Sequence, residues 1–321
     1  MTSISVCMPI YNSSKYIVHA IESVLKQTLT DFERIIIDDC STDDTGVIAA
    51  YFAERDERIQ YIRNDTNAGM VNNWNRCLEK ATGRYIKFLF GDDLLADDAL
   101  EQMAGYLDAN PDVGLVASAR ILIDDSNTPI ETLAHFDTRI YEGSEIIKVC
   151  FLQQNNLVGE PTAVMFRKEL AGRGFNSDYR QMVDLEMWFH LLDQGDFAYI
   201  KQPLCSFRVH PEQQTKKNIQ SLFHYSEFFL LMEEYINRPY MNFSRIYQRT
   251  FLFEKYYTFW KIFRHKPEYR HTAEEIVARQ YGWLRFYCFV PLYKLYNPVR
   301  KLIRAVMFLK RPVTQSAATG I

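Results

Sequence analysis

The sequence lacks the cysteine patterns that mark zinc-binding and secreted disulfide proteins. Six cysteines are scattered over 321 residues, and no two of them form a Cys-x-x-Cys pair. A zinc ribbon or a secreted disulfide framework is therefore not expected, and a reducing compartment is the default. The amino terminus has no cationic start followed by an apolar run, and no stretch offers about 18 uncharged apolar residues. These absences predict no signal peptide and no membrane-spanning helix, which favours a cytoplasmic protein.

Glycine-rich motifs that hold nucleotide phosphates are absent as well. Neither G-x-G-x-x-G nor G-x-x-x-x-G-K-[ST] occurs in the chain, so no such loop offers its amides to a phosphate group. A nucleotide bound by this protein would need another source of positive charge. A divalent cation is the obvious candidate.

The net charge is small, but the charges are unevenly distributed. The chain has 37 Lys and Arg residues against 40 Asp and Glu residues, and a net charge of −3 does not indicate a nucleic-acid-binding protein. From Ile276 to the end there are eight basic residues and no Asp or Glu, so the preceding 275 residues carry −11. We therefore expect two regions of opposite electrostatic character.

Short apolar runs alternate with helical patterns over the first 125 residues. This alternation predicts an α/β fold, with a mostly parallel sheet and helices on both of its faces. Further along, residues 197–200 and 205–209 are typical of two short strands. From about residue 218 the pattern is helical to the end, with expected interruptions at Pro239, Pro267, Pro291 and Pro298.

Acidic pairs follow two of the predicted strands. Asp38 and Asp39 come after the second strand, and Asp92 and Asp93 come after the fourth. Carboxylates that meet at one sheet edge repel one another unless a cation or hydrogen-bond donors offset them. Hard oxygen ligands suit Mg²⁺ or Mn²⁺. The alternative is that each pair only caps the helix that follows.

Five short motifs in this part of the chain occur in a fixed order. They are Pro9-Ile10-Tyr11-Asn12, the run from Asp38 to Thr45, Asn67-Ala68-Gly69, the run from Ala81 to Ile86, and Phe88-Leu89-Phe90-Gly91-Asp92-Asp93. Together they resemble the opening of the family 2 glycosyltransferases, which have the GT-A fold. The resemblance implies a catalytic domain over 1–215, with a nucleotide-sugar-binding half (1–120) and an acceptor-binding half (121–215). A helical region over 216–321 lies outside the resemblance.

The resemblance implies a nucleotide-sugar site at the strand ends. Tyr11 would stack on the base, and Asp39 would accept a hydrogen bond from it. Asp93 would ligate the Mn²⁺ or Mg²⁺ ion that bridges the diphosphate. Asp92 would lie near the ribose or the donor sugar and would be a second metal ligand. The other residues of this site would be Pro9, Asn12, Asp38 and Asn67. A UDP- or dTDP-sugar is favoured as the donor.

Two positions depart from the usual pattern of that family. Phe90 stands where the first Asp of the acidic metal motif often stands, and Trp74 stands where the family often has Arg. The first departure leaves fewer carboxylates for the cation.

Two later segments resemble the catalytic part of the same family. Within 183–189 the resemblance implies Asp184 as the general base, with Glu186 as the reserve candidate. Residues i and i+2 point to different helix faces, so only one of them can face the acceptor. Within 204–210, Arg208 and His210 would reach the diphosphate. The alternatives are that Asp184 only caps its helix and that Arg208 and His210 are structural.

A single base with direct displacement implies inversion at the anomeric carbon. The resemblance thus implies transfer of a hexosyl or deoxyhexosyl unit to a hydroxyl of a saccharide or lipid-linked glycan, in surface polysaccharide biosynthesis of the O-antigen or capsule type. A hydrolase with paired carboxylates is one alternative. A non-catalytic nucleotide-sugar-binding or scaffold protein of the same fold is another.

The carboxyl-terminal region 281–311 is both aromatic and basic. On a helical wheel one face carries Val299, Leu302, Ile303, Val306 and Leu309, and the opposite face carries Arg300, Lys301, Arg304 and Arg311. This pattern is typical of a helix that lies on an anionic membrane surface. We expect peripheral attachment to the cytoplasmic face of the cell membrane. The alternative is that the stripe packs on the catalytic domain or on a second subunit of an oligomer.

Overall fold

The computed structural model describes residues 3–210 and 222–309, including their side chains except at 280, 296, 297 and 299–309. The chain divides into two compact units, Met1–Leu231 and Met232–Ile321. The strands that the structure describes lie in the first unit, and the second unit is helical.

The strands of the first unit form one ten-stranded sheet within the described residues. Their bounds are β1 Ile4–Ile10, β2 Phe32–Asp38, β3 Ile59–Arg63, β4 Tyr85–Phe88, β5 Leu94–Leu95, β6 Val113–Ile123, β7 Pro129–Leu133, β8 Arg139–Tyr141, β9 Val164–Arg167 and β10 Asp196–Arg208. The strand order is β3-β2-β1-β4-β9-β6-β10-β5, with β7 beside β6 and β8 beside β10.

Helices connect these strands and continue into the second unit. Their bounds are α1 Ile17–Leu25, α2 Thr45–Ala53, α3 Met70–Lys80, α4 Ala99–Ala109, α5 Gly143–Gln153, α6 Val183–Leu192, α7 Phe223–Tyr235, α8 Arg245–Phe263, α9 Pro267–Tyr281 and α10 Trp283–Leu309. The α/β class predicted from the sequence is confirmed.

The first half of the sheet is parallel, as the alternating pattern predicts. Strands β3, β2, β1 and β4 run in the same direction, and every residue of β1 is buried. A central parallel strand needs apolar side chains on both faces, because helices cover both. The parallel arrangement places the carboxyl ends of β1, β2 and β4 at one edge, where the acidic pairs lie.

The second half of the sheet is mixed. Strand β9 lies antiparallel between β4 and β6, while β10 runs parallel to β6. The two short strands expected at 197–200 and 205–209 are one strand, β10, with register shifts around Pro203. Proline has no N–H to donate to a ladder, so a bulge at this residue lets the strand continue.

Of the four prolines expected to interrupt the helical region, two do so and two do not. Pro239 and Pro267 begin helical segments, where the missing N–H has no cost. Pro291 and Pro298 instead lie inside α10, which continues through both. The side chains of the stripe expected at 299–309 lie outside the described residues.

Aromatic residues form the core of the second unit. Five aromatic rings have centroids 5.4 to 5.9 Å from the ring centroid of Phe253 in α8. They belong to Tyr257, Tyr281, Phe286, Phe289 and Tyr293. These rings come from α8, α9 and α10, so they hold the three helices together. The cluster accounts for part of the high aromatic content of the chain.

Gly83 allows a close approach between the start of β4 and the start of β1. A Cβ at this position would lie 2.6 Å from Ser5 N and 2.7 Å from Ile4 C. Both atoms belong to the backbone of a buried strand and have little room to move. We predict that Gly83→Ala lowers the free energy of unfolding by about 1–3 kcal/mol, measured by urea denaturation.

Gly105 provides the matched control for this substitution. It lies inside α4, and a Cβ there would meet no atom of the described residues within 4 Å. Gly105→Ala should therefore raise the free energy of unfolding by about 0.4–1 kcal/mol, because alanine restricts the unfolded chain. Equal effects of the two substitutions would contradict the contact assigned to Gly83.

Candidate active site

Loops after β1, β2 and β4 form the edge of the sheet where the predicted site residues lie. Asn12 connects the first two loops: its backbone N–H donates to Ser41 Oγ at 3.0 Å, and its Oδ1 accepts from Thr42 N at 2.9 Å. Asn12 has a φ of 47°, a left-handed conformation that asparagine tolerates. Asn12 thus fixes the position of Tyr11, whose side chain is 49% exposed. Pro9 is buried within β1.

Asp39 organises the loop that follows β3. Its Oδ1 accepts from Asn64 Nδ2 at 2.7 Å and from Ala68 N at 2.8 Å, and its Oδ2 accepts from Gly69 N at 2.9 Å. Asn67 Nδ2 donates to the Asp39 backbone carbonyl at 3.2 Å. A carboxylate oxygen can accept two hydrogen bonds, so Oδ2 has one acceptor position that no donor of the described residues occupies. The loop and Tyr11 therefore lie beside the same strand ends.

Asp38 is directed into the protein and away from this surface. Its carboxylate has no exposed area, and its Oδ2 accepts from Arg63 at 2.8 Å and Tyr61 at 3.2 Å. Its Oδ1 accepts from Ser41 N at 2.9 Å. A ligand cannot reach this side chain without rearrangement, and the place of Asp38 among the nucleotide-binding residues stays a prediction. Asp38 holds β3 and the Ser41 loop in place.

Asp92 and Asp93 also point in different directions. Asp93 is 1% exposed, and its oxygens accept from Thr162 Oγ1 at 2.5 Å and Arg208 N at 3.0 Å. Burial raises the pKa of Asp93 well above its usual value, and the Asp92 charge adds to this. The role of Asp93 as the principal metal ligand stays a prediction. Lys87 lies behind it, with Nζ donating to the carbonyl of Thr162.

Asp92 is the member of this pair that faces outward. Its side chain is 29% exposed, and its Oδ2 lies 3.1 Å from His210 Nε2. His210 is 12% exposed, so a carboxylate and an imidazole converge at an accessible point. The described residues contain no group of three or more His, Cys, Asp or Glu side chains that could enclose a metal ion.

Arg208 holds the acidic loop but does not reach the surface. The guanidinium is buried, and it donates to the carbonyls of Asp92 at 2.8 Å and Asp124 at 2.6 Å, and to the Asn127 side chain. These partners of the guanidinium all lie within the protein, and the contact of Arg208 with a diphosphate stays a prediction. Arg208 and His210 both contact the ring of Tyr16, so they lie on the same side of the strand end.

Asp184 lies in the first turn of α6. Its Oδ2 accepts from Asn156 Nδ2 at 2.9 Å and its Oδ1 from Leu185 N at 2.7 Å. Burial raises the pKa of this carboxyl to about 7, and the nearby Glu160 charge adds to the shift. A side chain with that pKa can exchange a proton near neutral pH. The N-cap of α6 is Met182, so Asp184 is not the residue that caps this helix.

Glu160 interacts electrostatically with both Asp184 and the acidic loop after β4. The charge of Glu160 raises the pKa of Asp93 as well as that of Asp184, so both carboxyls lie in the same region. Arg120, which is 3% exposed, pairs with Glu160. Glu186, the reserve candidate, is buried and pairs with Arg173 at 2.7 Å.

A comparison with known protein families identifies the family of this chain. The family described as "Glycosyl transferase family 2" matches residues 5–175. The chain belongs to this family. The matched range includes the loops after β1, β2 and β4. It ends before Asp184, Arg208 and His210, so their roles are argued from geometry.

Individual glycosyltransferases are similar to the chain. The putative teichuronic acid biosynthesis glycosyltransferase TuaG of Bacillus subtilis is 31% identical over 207 residues, which are 64% of this chain and 79% of that protein. The structure of S. aureus TarS in complex with UDP-GlcNAc matches with a TM-score of 0.64 at 17% identity, over 86% of this chain and 80% of that one. The mannosyltransferase PcManGT from Pyrobaculum calidifontis, in complex with GDP-Man and Mn²⁺, matches with a TM-score of 0.57 at 18% identity, over 93% of this chain and 82% of that one. The structural matches show that this family 2 member has the GT-A fold.

The two departures from the usual family sequence lie against each other. Trp74 of α3 stacks on Phe90 with centroids 5.1 Å apart and an interplanar angle of 30°. The ring of Phe175 lies edge-on to that of Trp74, with centroids 5.1 Å apart. Trp74, Phe90 and Phe175 therefore form one aromatic cluster beside the acidic loop.

A residue that the sequence analysis missed positions the helix of Asp184. Glu227 of α7 is 4% exposed, and its carboxylate accepts from three consecutive backbone N–H groups, those of Arg180 at 2.8 Å, Gln181 at 2.7 Å and Met182 at 2.9 Å. These residues lead directly into α6. A helix amino terminus favours a negative charge, so Glu227 fixes the point where α6 begins. No local pattern connects residues that lie 45 to 47 positions apart.

We predict that Glu227→Gln impairs both stability and turnover. The neutral amide has one acceptor oxygen and turns N–H donors toward other donors, so the free energy of unfolding should fall by about 1–3 kcal/mol. Displacement of α6 should lower kcat several-fold and leave the KM for the nucleotide-sugar unchanged. Glu234→Gln is the control, because Glu234 is an exposed residue of the same helix. A parallel loss in both variants would exclude the capping role.

Proposed function

We propose that this family 2 glycosyltransferase moves a sugar from a nucleoside diphosphate donor to a hydroxyl of a saccharide or lipid-linked glycan, with inversion at the anomeric carbon. The observation that carries the proposal is the grouping of an accessible Asp92–His210 pair with Asp184, a carboxyl of pKa about 7. The Asp92–His210 pair can hold a cation that binds a diphosphate, and Asp184 can accept the proton of an acceptor hydroxyl. A single base with no carboxylate nucleophile implies direct displacement.

The base of the donor would lie against Tyr11 and the Asn67–Gly69 loop. Tyr11 offers an exposed aromatic face, and Asp39, which is 2% exposed and accepts from the Asn67–Gly69 loop, is the residue that would accept from an N–H of the base. The proposed donor is a UDP- or dTDP-sugar, whose base presents such an N–H. The similarity to a protein crystallised with UDP-GlcNAc supports a uridine donor.

Asp92 and His210 are the residues that would hold a divalent cation. A carboxylate suits Mn²⁺ and Mg²⁺, and an imidazole suits transition metals more than Mg²⁺, so the donor set fits Mn²⁺ best. When bound, the cation would neutralise the charge that develops on the departing diphosphate. Asp93 and Arg208 hold the loop that presents Asp92. The similarity to a protein crystallised with GDP-Man and Mn²⁺ supports this assignment.

Asp184 would take the proton of the attacking hydroxyl. Asn156 donates to one of its oxygens and is itself held by Gly159, whose carbonyl accepts from Asn156 Nδ2 at 3.1 Å and from Trp188 Nε1 at 2.9 Å. This arrangement fixes the direction of the carboxylate. General-base catalysis of this kind contributes about 10²–10⁴-fold.

The acceptor and its cellular location follow from the same proposal. TuaG is described by its role in teichuronic acid biosynthesis, which favours surface polysaccharide synthesis for the present chain. We place the enzyme on the cytoplasmic face of the cell membrane, where a lipid-linked acceptor would be reached. Hexosyl and deoxyhexosyl donors both fit the proposal.

Asp184→Asn should abolish transfer and leave donor binding intact. In the unsubstituted enzyme kcat should rise with pH through about 7, because Asp184 must lose its proton before it can act as a base. Transfer is measured with UDP- and dTDP-sugars, with and without saccharide acceptors, and donor binding by calorimetry. A rate that increases with acceptor separates a transferase from a hydrolase.

Asp193→Asn is the matched control, because Asp193 is an exposed aspartate that follows the last turn of the same helix. It should keep the activity and the pH profile of the parent enzyme. Full turnover of Asp184→Asn would overturn the assignment of the base. Loss of donor binding in that variant would also contradict it, since the role assigned to Asp184 lies on the acceptor side.

Removal of either member of the Asp92–His210 pair should weaken Mn²⁺ binding. In Asp92→Asn and His210→Ala, the affinity for Mn²⁺ in the presence of UDP should fall on the order of tenfold or more, because each variant loses one ligand. Electron paramagnetic resonance of free Mn²⁺ measures this directly. Asp31→Asn, a substitution of an exposed aspartate before β2, is the control. Unchanged affinity in both site variants would exclude the pair as the cation site.

A further inference from the structure

Large apolar side chains on the first half of α10 are exposed. Leu284 is 81% exposed, Tyr287 55%, Leu292 59% and Leu295 79%. Cys288 and Pro291 lie between them and are also exposed. With 3.6 residues per turn these six residues share one side of the helix. We call them the α10 face.

The opposite side of α10 is already used for packing. Phe286 and Tyr293 are buried against Phe253 of α8. A helix at the surface of a globular protein normally has a polar side facing water, but this part of α10 is apolar on both sides. Contiguous exposed apolar surface of this kind marks an interaction site.

The charged residues on this stretch of α10 have one sign. Arg285 and Lys294 are exposed, and by helical spacing they lie along its two opposite edges. The chain has no Asp or Glu from Ile276 to its end. Long basic side chains at the edge of an apolar stripe can extend to phosphate groups while the stripe enters an apolar layer. The partner therefore has an apolar interior and a negatively charged surface.

We propose that the α10 face docks on an anionic lipid surface. The helix lies in the plane of the interface, with Leu284, Leu292 and Leu295 in the acyl boundary and Arg285 and Lys294 among the headgroups. Tyr287 stacks on Trp283 with centroids 5.5 Å apart, and such rings suit the headgroup region. Docking does not span the bilayer, because no helix among the described residues has the length and hydropathy to cross it.

The charge pattern distinguishes a lipid surface from a second copy of this chain. A symmetric dimer through the α10 face would bring Arg285 and Lys294 of both copies to one interface with no acidic partner on α10. Like charges brought together in this way cost free energy. An anionic lipid surface instead supplies the opposite charge along the whole stripe. The proposal is independent of the catalytic function, since it concerns a surface outside the candidate active site.

Vesicle flotation with the full chain tests the proposal. Binding to vesicles of phosphatidylserine and phosphatidylcholine should exceed binding to phosphatidylcholine alone by at least about tenfold at low salt, and it should weaken as salt is added. The triple variant Leu284→Ser/Leu292→Ser/Leu295→Ser should reduce binding by about tenfold or more. No nucleotide-sugar is present, so failure here leaves the transferase proposal untouched.

Cys288 allows the inserted surface to be identified. It is exposed, while Cys7, Cys77, Cys150 and Cys205 are buried. In a Cys40→Ser background, a solvatochromic label on Cys288 should shift its emission to the blue when anionic vesicles are added. The charge variant Arg285→Glu/Lys294→Glu should remove the preference for phosphatidylserine.

The control is a triple variant of exposed apolar residues elsewhere, Val47→Ser/Ile130→Ser/Ile246→Ser, which should bind vesicles as the parent chain does. Equal binding to both vesicle types would overturn the proposal. So would an unchanged label emission on bound vesicles. A dimer that becomes monomeric in the α10 triple variant, without vesicle binding by the parent, would show instead that the face joins two copies of the chain.

Discussion

The hydrogen bonds of Arg208 hold the candidate site together. Its backbone N–H binds Asp93, and its guanidinium binds the Asp92 carbonyl and the Asp124–Asn127 turn. One residue at the end of β10 thereby joins the loop after β4 to the turn between β6 and β7. His210 lies two residues further on, so its contact with Asp92 depends on this clamp. A buried guanidinium with all its partners in place is costly to move, which makes the clamp a rigid support.

Most of the acidic residues at the strand ends are buried and hydrogen-bonded. Asp38, Asp39 and Asp93 are almost completely buried, and each accepts hydrogen bonds from neighbouring loops. Hydrogen-bond donors thus relieve most of the repulsion that the sequence suggests, and Asp92 is the exposed carboxylate among the four. The sequence predicts the cluster, but it cannot say which oxygens face solvent, because that depends on loops far apart in the chain.

Sequence reasoning succeeds where the signal is local. The apolar run of β1 and the alternation of strands and helices are sufficient for the parallel half of the sheet. The insertion of β9 between β4 and β6 has no such signal, since the partner of a short strand is chosen by tertiary packing. The same limit applies to Glu227, whose three partners belong to another part of the chain. It also applies to Arg208: the spacing of Arg208 and His210 predicts that both lie on one side of the strand, but it does not predict that the Arg208 side chain is buried. Asp184 is predicted by resemblance, and its raised pKa follows only from the folded environment.

The single exposed carboxylate at the acidic loop affects the order of events during turnover. On the proposed function, the protein would contribute one accessible carboxylate and one imidazole to a cation that prefers six ligands. Such a pair retains a bare ion poorly, whereas diphosphate oxygens complete its coordination. On the proposed function the ion would enter together with the donor, as a preformed complex, and depart with the nucleoside diphosphate. The enzyme would then draw on the cellular pool of metal–nucleotide complexes and would not keep a resident metal between cycles.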